Sequence, residues 1–183
     1  MMRKSASVAL PMIVVACVAG LAAQSPNRTT PAGTTACSAL KGRSFDGDAK
    51  VVDATPVTGG TLTISDTVTI PNLPVFCRVQ AISKPSADSN IHFEVWLPDA
   101  QTWNRKFLST GEGGFAGQLN YGRNGLDSAM DELVRRGYAT ASTDTGHLSS
   151  DPDWAIGHPE RITDYLYRAK HVTTVAAKAI ISA

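Results

Sequence analysis

The chain has 183 residues, of which 43% are hydrophobic and 18% are charged, and its formal net charge is +1. This length and apolar content suit one globular domain. Because the charges nearly balance and the basic residues form no cluster, the composition argues against nucleic acid or an acidic macromolecule as a partner.

The N-terminal segment, residues 1–23, is predicted to be a secretory signal peptide. Two basic residues, Arg3 and Lys4, precede an apolar stretch, and small residues follow as far as Ala23. A basic, an apolar and a small-residue region in this order are typical of exported proteins. The apolar stretch is too short for a stable membrane span. We therefore expect a periplasmic or extracellular protein.

A lipid anchor at Cys17 is the alternative for this segment. Residues 14–17 read Val-Val-Ala-Cys, which resembles a bacterial lipoprotein box and would place a lipid on the cysteine. The apolar run continues past Cys17, and this favours a cleaved signal peptide instead.

A linker and a β-rich region come next. Residues 24–36 are polar, rich in proline and threonine and without apolar periodicity, so they are predicted to be a linker. Between residues 50 and 82 apolar and polar residues alternate, which is typical of strands, and Pro-Asn-Leu-Pro at 71–74 predicts a turn. The clearest strand covers residues 91–97, whose odd-numbered positions are all apolar and which a proline follows.

After residue 105 the pattern becomes strand, loop, helix and strand. Residues 106–110 predict a short strand that leads into a loop containing Gly111, Gly113, Gly114 and Gly117. Apolar residues at helical spacing predict a helix near residues 126–136, and residues 138–143 predict the next strand. A βαβ unit of this kind implies that its two strands pair in parallel.

A long helix is predicted over residues 159–182, with a proline at its first position. Its apolar stripe consists of Ile162, Tyr165, Leu166, Ala169, Val172, Ala176, Ala179 and Ile180. A helix that follows a parallel strand normally leads to another strand, and none follows here before Ala183. We therefore expect the sequence to be a truncated one.

The cysteines that follow the signal peptide are Cys37 and Cys77. An even pair in an exported chain favours a disulfide, because disulfides persist outside the cytoplasm. A metal site built on these two cysteines is the other option, but neither has a histidine or cysteine partner nearby in the sequence.

The glycine-rich stretch, residues 107–118, has three interpretations. The letters Gly-Glu-Gly-Gly-Phe-Ala satisfy the loose dinucleotide pattern, with Asp144 as a candidate ribose-binding acid. The lack of a helix at the glycines and the long spacing to Asp144 disfavour this oxidoreductase reading. The second interpretation is an oxyanion hole, in which bare backbone approaches an ester carbonyl. The third is a plain surface turn.

The tripeptide Asp144-Thr145-Gly146 also occurs in aspartic proteases. That active site requires two such loops, and this sequence has one. We expect instead that Asp144 and His147 hold the loop at the strand end by hydrogen bonds. His92 is expected to be exposed, and the four histidines do not have metal-ligand spacing.

Five blocks of the sequence together resemble the tannase/feruloyl esterase family. In chain order they are LPVFCRV, HFEVWLP, WNRKFLSTGEGGFAG, GYATASTDTGH and WAIGHPERITDYLYRAKHVTTVAAKAI. The resemblance extends over residues 37–183. One departure is visible, since the family usually has Trp-Asn-Gly-Arg where this chain has Trp-Asn-Arg-Lys at residues 103–106.

The resemblance implies an α/β fold, namely an incomplete α/β-hydrolase-like parallel sheet preceded by a β-rich N-terminal segment. It implies a serine carboxylic ester hydrolase that acts on small aromatic-acid esters, such as feruloyl or galloyl esters, through an acyl-enzyme. Gly114 matches the glycine whose backbone N–H helps to form the oxyanion hole. Cys37 and Cys77 match a family disulfide.

The family's nucleophile lies in a Gly-Cys-Ser-x-Gly-Gly motif, which this sequence lacks. In the family the triad acid, the histidine and a lid with a calcium site lie further downstream. We therefore expect residues 37–183 to be the part of a catalytic domain before the nucleophile, without a cofactor and inactive alone. A non-catalytic exported binding protein or pseudo-enzyme is the alternative.

Overall fold

The structure is a computed structural model that describes residues 34–111, 113–122 and 129–183. Its strands are β1 (Ser44–Phe45), β2 (Ala49–Ser65), β3 (Val68–Ser83), β4 (Ile91–Pro98), β5 (Phe107–Ser109) and β6 (Ala139–Thr143). Its helices are α1 (Thr34–Ser38), α2 (Met130–Arg135), α3 (Pro159–Thr163) and α4 (Ala169–Ile181). A π-helical segment, Asp164–Arg168, joins α3 to α4 and is called the π turn below. The predicted signal peptide, most of the predicted linker and the first residues of the helix predicted near 126–136 lie outside the described residues.

The strands form one six-stranded mixed sheet in the order β1-β2-β3-β4-β6-β5. The predicted strands at 91–97 and 138–143 lie in this one sheet, where β4 and β6 pair antiparallel with Phe93 opposite Thr143. The parallel pairing predicted for the βαβ unit is confirmed, because β5 and β6 run parallel with Leu108 opposite Thr140. Among the described strands the parallel part is limited to this pair, and all other neighbouring strands pair antiparallel.

The strands β2 and β3 form a long hairpin that turns at Asp66 and Thr67. The turn predicted at residues 71–74 is wrong, because this stretch lies within β3. Prolines lack the N–H that a central strand needs, so they are confined to strands with a free side. Within the part of the chain that the structure describes, this stretch has no neighbouring strand on one side, because the pairing of β3 with β4 ends where Phe76 faces Pro98.

Both faces of the sheet are covered by helices. Alternation along β4 directs Phe93 and Val95 into a cluster that includes Ala176 and Ile180 of α4. The neighbouring residue Trp96 lies on the opposite face, in a cluster that includes Met130 and Val134 of α2. The sheet is therefore the middle layer of a three-layer arrangement.

The long helix predicted over residues 159–182 is present but interrupted by the π turn. Ile162 and Leu166, which the prediction placed in the core, are 40% and 69% exposed, whereas Asp164 is fully buried. A π-helical turn contains one extra residue, so positions before it are rotated relative to positions after it. The predicted stripe therefore holds only in α4, where Ala169 and Ala176 are buried.

The disulfide between Cys37 and Cys77 is present, with a Cα–Cα distance of 5.6 Å. It joins α1 to β3, and both cysteines are buried in the cluster that faces α4. The bond closes a loop with a sequence separation of 40 residues. In the chain-entropy account, closing such a loop stabilises the folded state by at most ~4 kcal/mol.

We predict that removing this bond lowers stability without changing the fold. The double variant Cys37→Ala/Cys77→Ala should unfold at a lower denaturant concentration than the native protein. Its free energy of unfolding should be lower by up to about 4 kcal/mol. Thiol labelling of the native protein without reductant should find neither cysteine reactive. Labelling at both positions in the folded protein would contradict the assignment.

Candidate functional site

The glycine loop, defined here as residues 113–117, lies beside the loop that follows β6. Both loops leave the sheet at the carboxyl ends of the parallel strands β5 and β6. The backbone N–H of Thr110 donates to the carbonyl of Ala141 at 2.8 Å, so the register of the two strands extends to the base of the glycine loop. In open α/β sheets this edge is where ligands bind.

The glycine loop contains a tight turn with left-handed backbone. The N–H of Ala116 donates to the carbonyl of Gly113 at 2.9 Å, which closes a four-residue turn. Gly113 and Gly114 have φ of +63° and +35°, and a Cβ on either would meet no atom within 4 Å. These two glycines are therefore required by their backbone conformation rather than by packing. At Gly117 packing matters too, since a Cβ there would lie 2.3 Å from the nitrogen of Ser149.

Three carbonyls of the glycine loop accept hydrogen bonds from the surrounding elements. The Tyr165 hydroxyl donates to the Gly114 carbonyl at 2.8 Å. His147 Nε2 donates to the Phe115 carbonyl at 3.0 Å, and because a carbonyl only accepts, this nitrogen carries a proton. The N–H of Ser149 donates to the Gly117 carbonyl at 2.9 Å. The orientation of the loop is thus fixed by the β6 loop and by the π turn.

The N–H of Gly114 points out of the turn. All described peptide bonds are trans, and in a trans peptide the C=O and the following N–H point in opposite directions. The carbonyl of Gly113 is directed into the turn, towards the N–H of Ala116. The N–H of Gly114 is therefore directed outwards, and it makes no hydrogen bond within the part of the chain that the structure describes.

A cleft of ≈ 370 Å³ adjoins the glycine loop. Its lining includes Gly113, Gly114 and Ala116 from the loop, Thr145 from the β6 loop, and Tyr165 and Lys170 from the helix. The Lys170 ammonium donates to the carbonyl of Thr110, at the end of β5. The candidate oxyanion donor thus lies at the wall of a cleft that also contains a cation and a phenol.

Aromatic rings support the groups that hold the loop. The rings of His147 and Trp154 are stacked with centroids 4.0 Å apart, and both residues are buried. The ring of Tyr165 lies 5.3 Å from Trp154 and 5.6 Å from His147. Phe115 contacts the edges of this group. Packed rings hold the hydroxyl and the imidazole in place, so the loop meets pre-oriented donors.

The prediction that Asp144 and His147 hold the strand-end loop is confirmed. Asp144 Oδ1 accepts from the N–H of Gly146 at 2.8 Å and from the N–H of His92 at 3.0 Å. Its Oδ2 lies 2.9 Å from Nδ1 of His92. The His92 side chain was expected to be exposed, and it is 45% exposed. Its ring nitrogen also pairs with this carboxylate. The hydrogen bond to Asp144 raises the pKa of His92, and partial burial opposes that shift.

The other interpretations find little support at this edge of the sheet. No helix begins within residues 113–122, and the Asp144 carboxylate is occupied by His92 and Gly146, which disfavours a dinucleotide site. Among the described residues no group of three or more histidine, cysteine or acidic side chains could hold a metal ion.

Within the same residues no helix is long and apolar enough to cross a membrane.

A buried carboxylate that the sequence pattern did not reveal binds Tyr121, which follows the glycine loop in the chain. Glu94 in β4 accepts hydrogen bonds from Arg78, Gln80, Trp96 and Tyr121. Burial and the neighbouring carboxylate raise the pKa of Tyr121, so its hydroxyl stays protonated and donates. Next to it, the N–H of Asn120 donates to the Ser142 hydroxyl at 2.8 Å. The available signal was an acidic residue flanked within a strand by the apolar residues Phe93, Val95 and Trp96.

Together these features define an α/β-hydrolase-like protein with a glycine loop at the carboxyl ends of its parallel strands. The profile of the family described as "Tannase and feruloyl esterase" matches residues 77–183. The chain belongs to the tannase and feruloyl esterase family.

Individual relatives agree with this assignment. The chain is 41% identical over 157 residues to an uncharacterized esterase of Xanthomonas campestris pv. campestris, covering 85% of the chain and 26% of the relative. It is 37% identical over 125 residues to a probable feruloyl esterase B-1 of Neosartorya fischeri, covering 68% and 21%. The chain thus spans about a quarter of the length of the curated relatives that it matches.

Solved structures give the same fold. The crystal structure of feruloyl esterase B from Aspergillus oryzae superimposes with a TM-score of 0.68 at 29% identity, over 79% of this chain and 28% of that one. Tannin acyl hydrolase from Aspergillus niger has a TM-score of 0.54 at 20% identity, over 84% and 30%, and supports the fold alone.

The raised pKa of His92 gives a prediction about pH. In a histidine-detected NMR titration of the full-length protein, the His92 signal should titrate above 6.5, the ordinary value. Because the folded-state pKa is the higher one, the His92–Asp144 pair stabilises the fold fully below about 6.5, and this contribution is lost as pH rises through the folded-state pKa.

Two variants check the cause. His92→Gln identifies the signal, and Asp144→Asn should move the His92 midpoint down, because its strongest acceptor is lost. A His92 midpoint at or below 6.5 in the native protein would contradict the pairing.

Proposed function

We propose that the full-length protein carrying this chain is an exported serine carboxylic ester hydrolase that acts on small aromatic-acid esters through an acyl-enzyme. Its family membership supports ester chemistry. The names of its relatives, which include feruloyl esterases, support an aromatic acyl group. The observation that carries the proposal is the outward-facing N–H of Gly114 beside the cleft.

In this proposal the Gly114 N–H donates to the oxygen that becomes negative when the ester carbonyl is attacked. A donor of this kind stabilises the transition state by ~3–4 kcal/mol. The benefit depends on a donor that is already oriented, since reorganisation during the reaction would offset it. Hydrogen bonds to the carbonyls of Gly114, Phe115 and Gly117 support such a fixed orientation.

The proposal assigns the catalytic serine, acid and histidine to sequence outside these 183 residues, because the family's Gly-Cys-Ser-x-Gly-Gly motif is absent. The two histidines at this edge of the sheet have other tasks. His147 donates through Nε2 to a carbonyl, and His92 is paired with an aspartate that also binds backbone. The proposal assigns no cofactor to this chain, and a calcium ion of the family's lid would bind elsewhere.

Activity is tested on the full-length protein with methyl ferulate, methyl gallate and ethyl acetate. We expect hydrolysis of an aromatic ester, with a burst of alcohol release equal to the enzyme concentration and inhibition by a serine-directed phosphonate. A folded protein that binds these esters and hydrolyses none of them would support the non-catalytic alternative.

The role of Gly114 is tested by exchanging its N–H for an oxygen. Glycolic acid introduced at position 114 of the full-length protein by nonsense suppression removes the donor but leaves the positive φ accessible. We expect kcat to fall by about 10²–10³-fold. The same exchange at Gly113, which has a similar φ and similar open space, is the matched control and should have little effect. Equal effects at both positions would reject Gly114 as the oxyanion donor.

A further inference from the structure

The π turn changes the direction in which Tyr165 faces. In an uninterrupted α-helix Tyr165 would lie one turn before Ala169, on the face that α4 buries against the sheet. The extra residue of the π turn rotates this position away from that face. Tyr165 is instead half-buried at the cleft, where its hydroxyl donates to the Gly114 carbonyl at 2.8 Å.

The π turn is unfavourable for packing. It leaves Ile162 and Leu166 exposed and buries Asp164 completely. One oxygen of Asp164 pairs with Nε of Arg168, and the other has no hydrogen-bond partner among the described residues. Burying a carboxylate in place of two aliphatic side chains disfavours folding. A feature that works against packing, yet fixes Tyr165, indicates a functional constraint, as π-helical insertions often do.

The hydrogen bond from Tyr165 restricts the backbone conformation of Gly114, the residue that carries the proposed oxyanion donor. Gly114 lies between two peptide planes, and as a glycine it has few steric limits of its own. The plane before it is held by the bond from the Ala116 N–H to the Gly113 carbonyl. The plane after it is held by the Tyr165 hydroxyl at the Gly114 carbonyl. With both planes held, the direction of the Gly114 N–H is determined.

We propose that Tyr165 is a positioning residue that orients the Gly114 N–H for oxyanion stabilisation, and that the π turn exists in this helix to place it. This inference rests on the proposed function of Gly114. Tyr165 acts through the loop and does not touch the reacting atoms. His147, which binds the next carbonyl along the loop and contacts the Tyr165 ring, supports the same orientation from the β6 loop.

The test is Tyr165→Phe in the full-length enzyme. The ring and its contacts with His147 and Trp154 remain, and only the hydroxyl is lost. We expect kcat to fall about tenfold, the change that one lost hydrogen bond can produce. KM should stay within about twofold because ground-state binding is untouched, and the melting temperature should fall only slightly because the ring packing remains.

The matched control is Tyr138→Phe. Tyr138 precedes β6, at the end of that strand opposite to the glycine loop, and its ring lies under the guanidinium of Arg136. Losing this hydroxyl should leave kcat unchanged. A Tyr165→Phe enzyme with near-normal kcat, or one in which only KM changes, would overturn the inference.

A combined variant separates this inference from the proposed function. Where glycolic acid at position 114 has already removed the N–H, adding Tyr165→Phe should lower kcat by less than about twofold, because the two changes act on one donor. A further tenfold loss would mean that the hydroxyl acts on the substrate and would overturn the inference. If the glycolate exchange alone has no effect, the oxyanion assignment of Gly114 fails, whatever Tyr165→Phe does.

Discussion

The site depends on β6, which hydrogen-bonds in parallel to β5 on one side and antiparallel to β4 on the other. Parallel pairing brings the chain out of β5 and β6 at the same edge of the sheet, so the glycine loop and the β6 loop become neighbours. Antiparallel pairing brings the start of β4 to that edge as well. His92 therefore lies beside Asp144, which follows directly after β6.

Buried carboxylates tie this edge of the molecule together. Glu94 connects two strands to Tyr121 beyond the glycine loop, Asp144 connects β4 to the β6 loop, and Asp164 lies in the π turn. An ionised group inside a protein is tolerated only where donors surround it, and removing one donor is more harmful than never having the pair. Glu94 and Asp144 each bind several donors, so the positions of the segments that they join depend on several partners at once. Such groups add little net stability but restrict the number of arrangements that the loops can adopt.

Local patterns in the sequence predicted most of the fold. The alternation in residues 91–97, the βαβ order around the glycines and the cysteine pair are short-range signals, and all three appear in the structure as expected. The turn predicted at residues 71–74 failed because the tolerance of a strand for proline depends on where its neighbour ends, here at Pro98. The apolar stripe predicted before Ala169 was wrong because a constant period of 3.6 residues was assumed. The extra residue of the π turn rotates the preceding side chains to a different face of the helix. Tyr165 was consequently placed in the core, and its bond to the glycine loop could not be foreseen.

The prolines of the β2–β3 hairpin have a consequence beyond local geometry. Before Phe76, β3 has no neighbouring strand on one side within the described chain, and a row of free N–H and C=O groups would be a template for adding a strand from another molecule. Pro71 and Pro74 interrupt the donors of that row, and Arg135 binds the carbonyls of Pro71 and Asn72. The same four residues that misled the turn prediction thus make this edge a poor nucleus for intermolecular β-sheet growth, which protects an extended hairpin from aggregation.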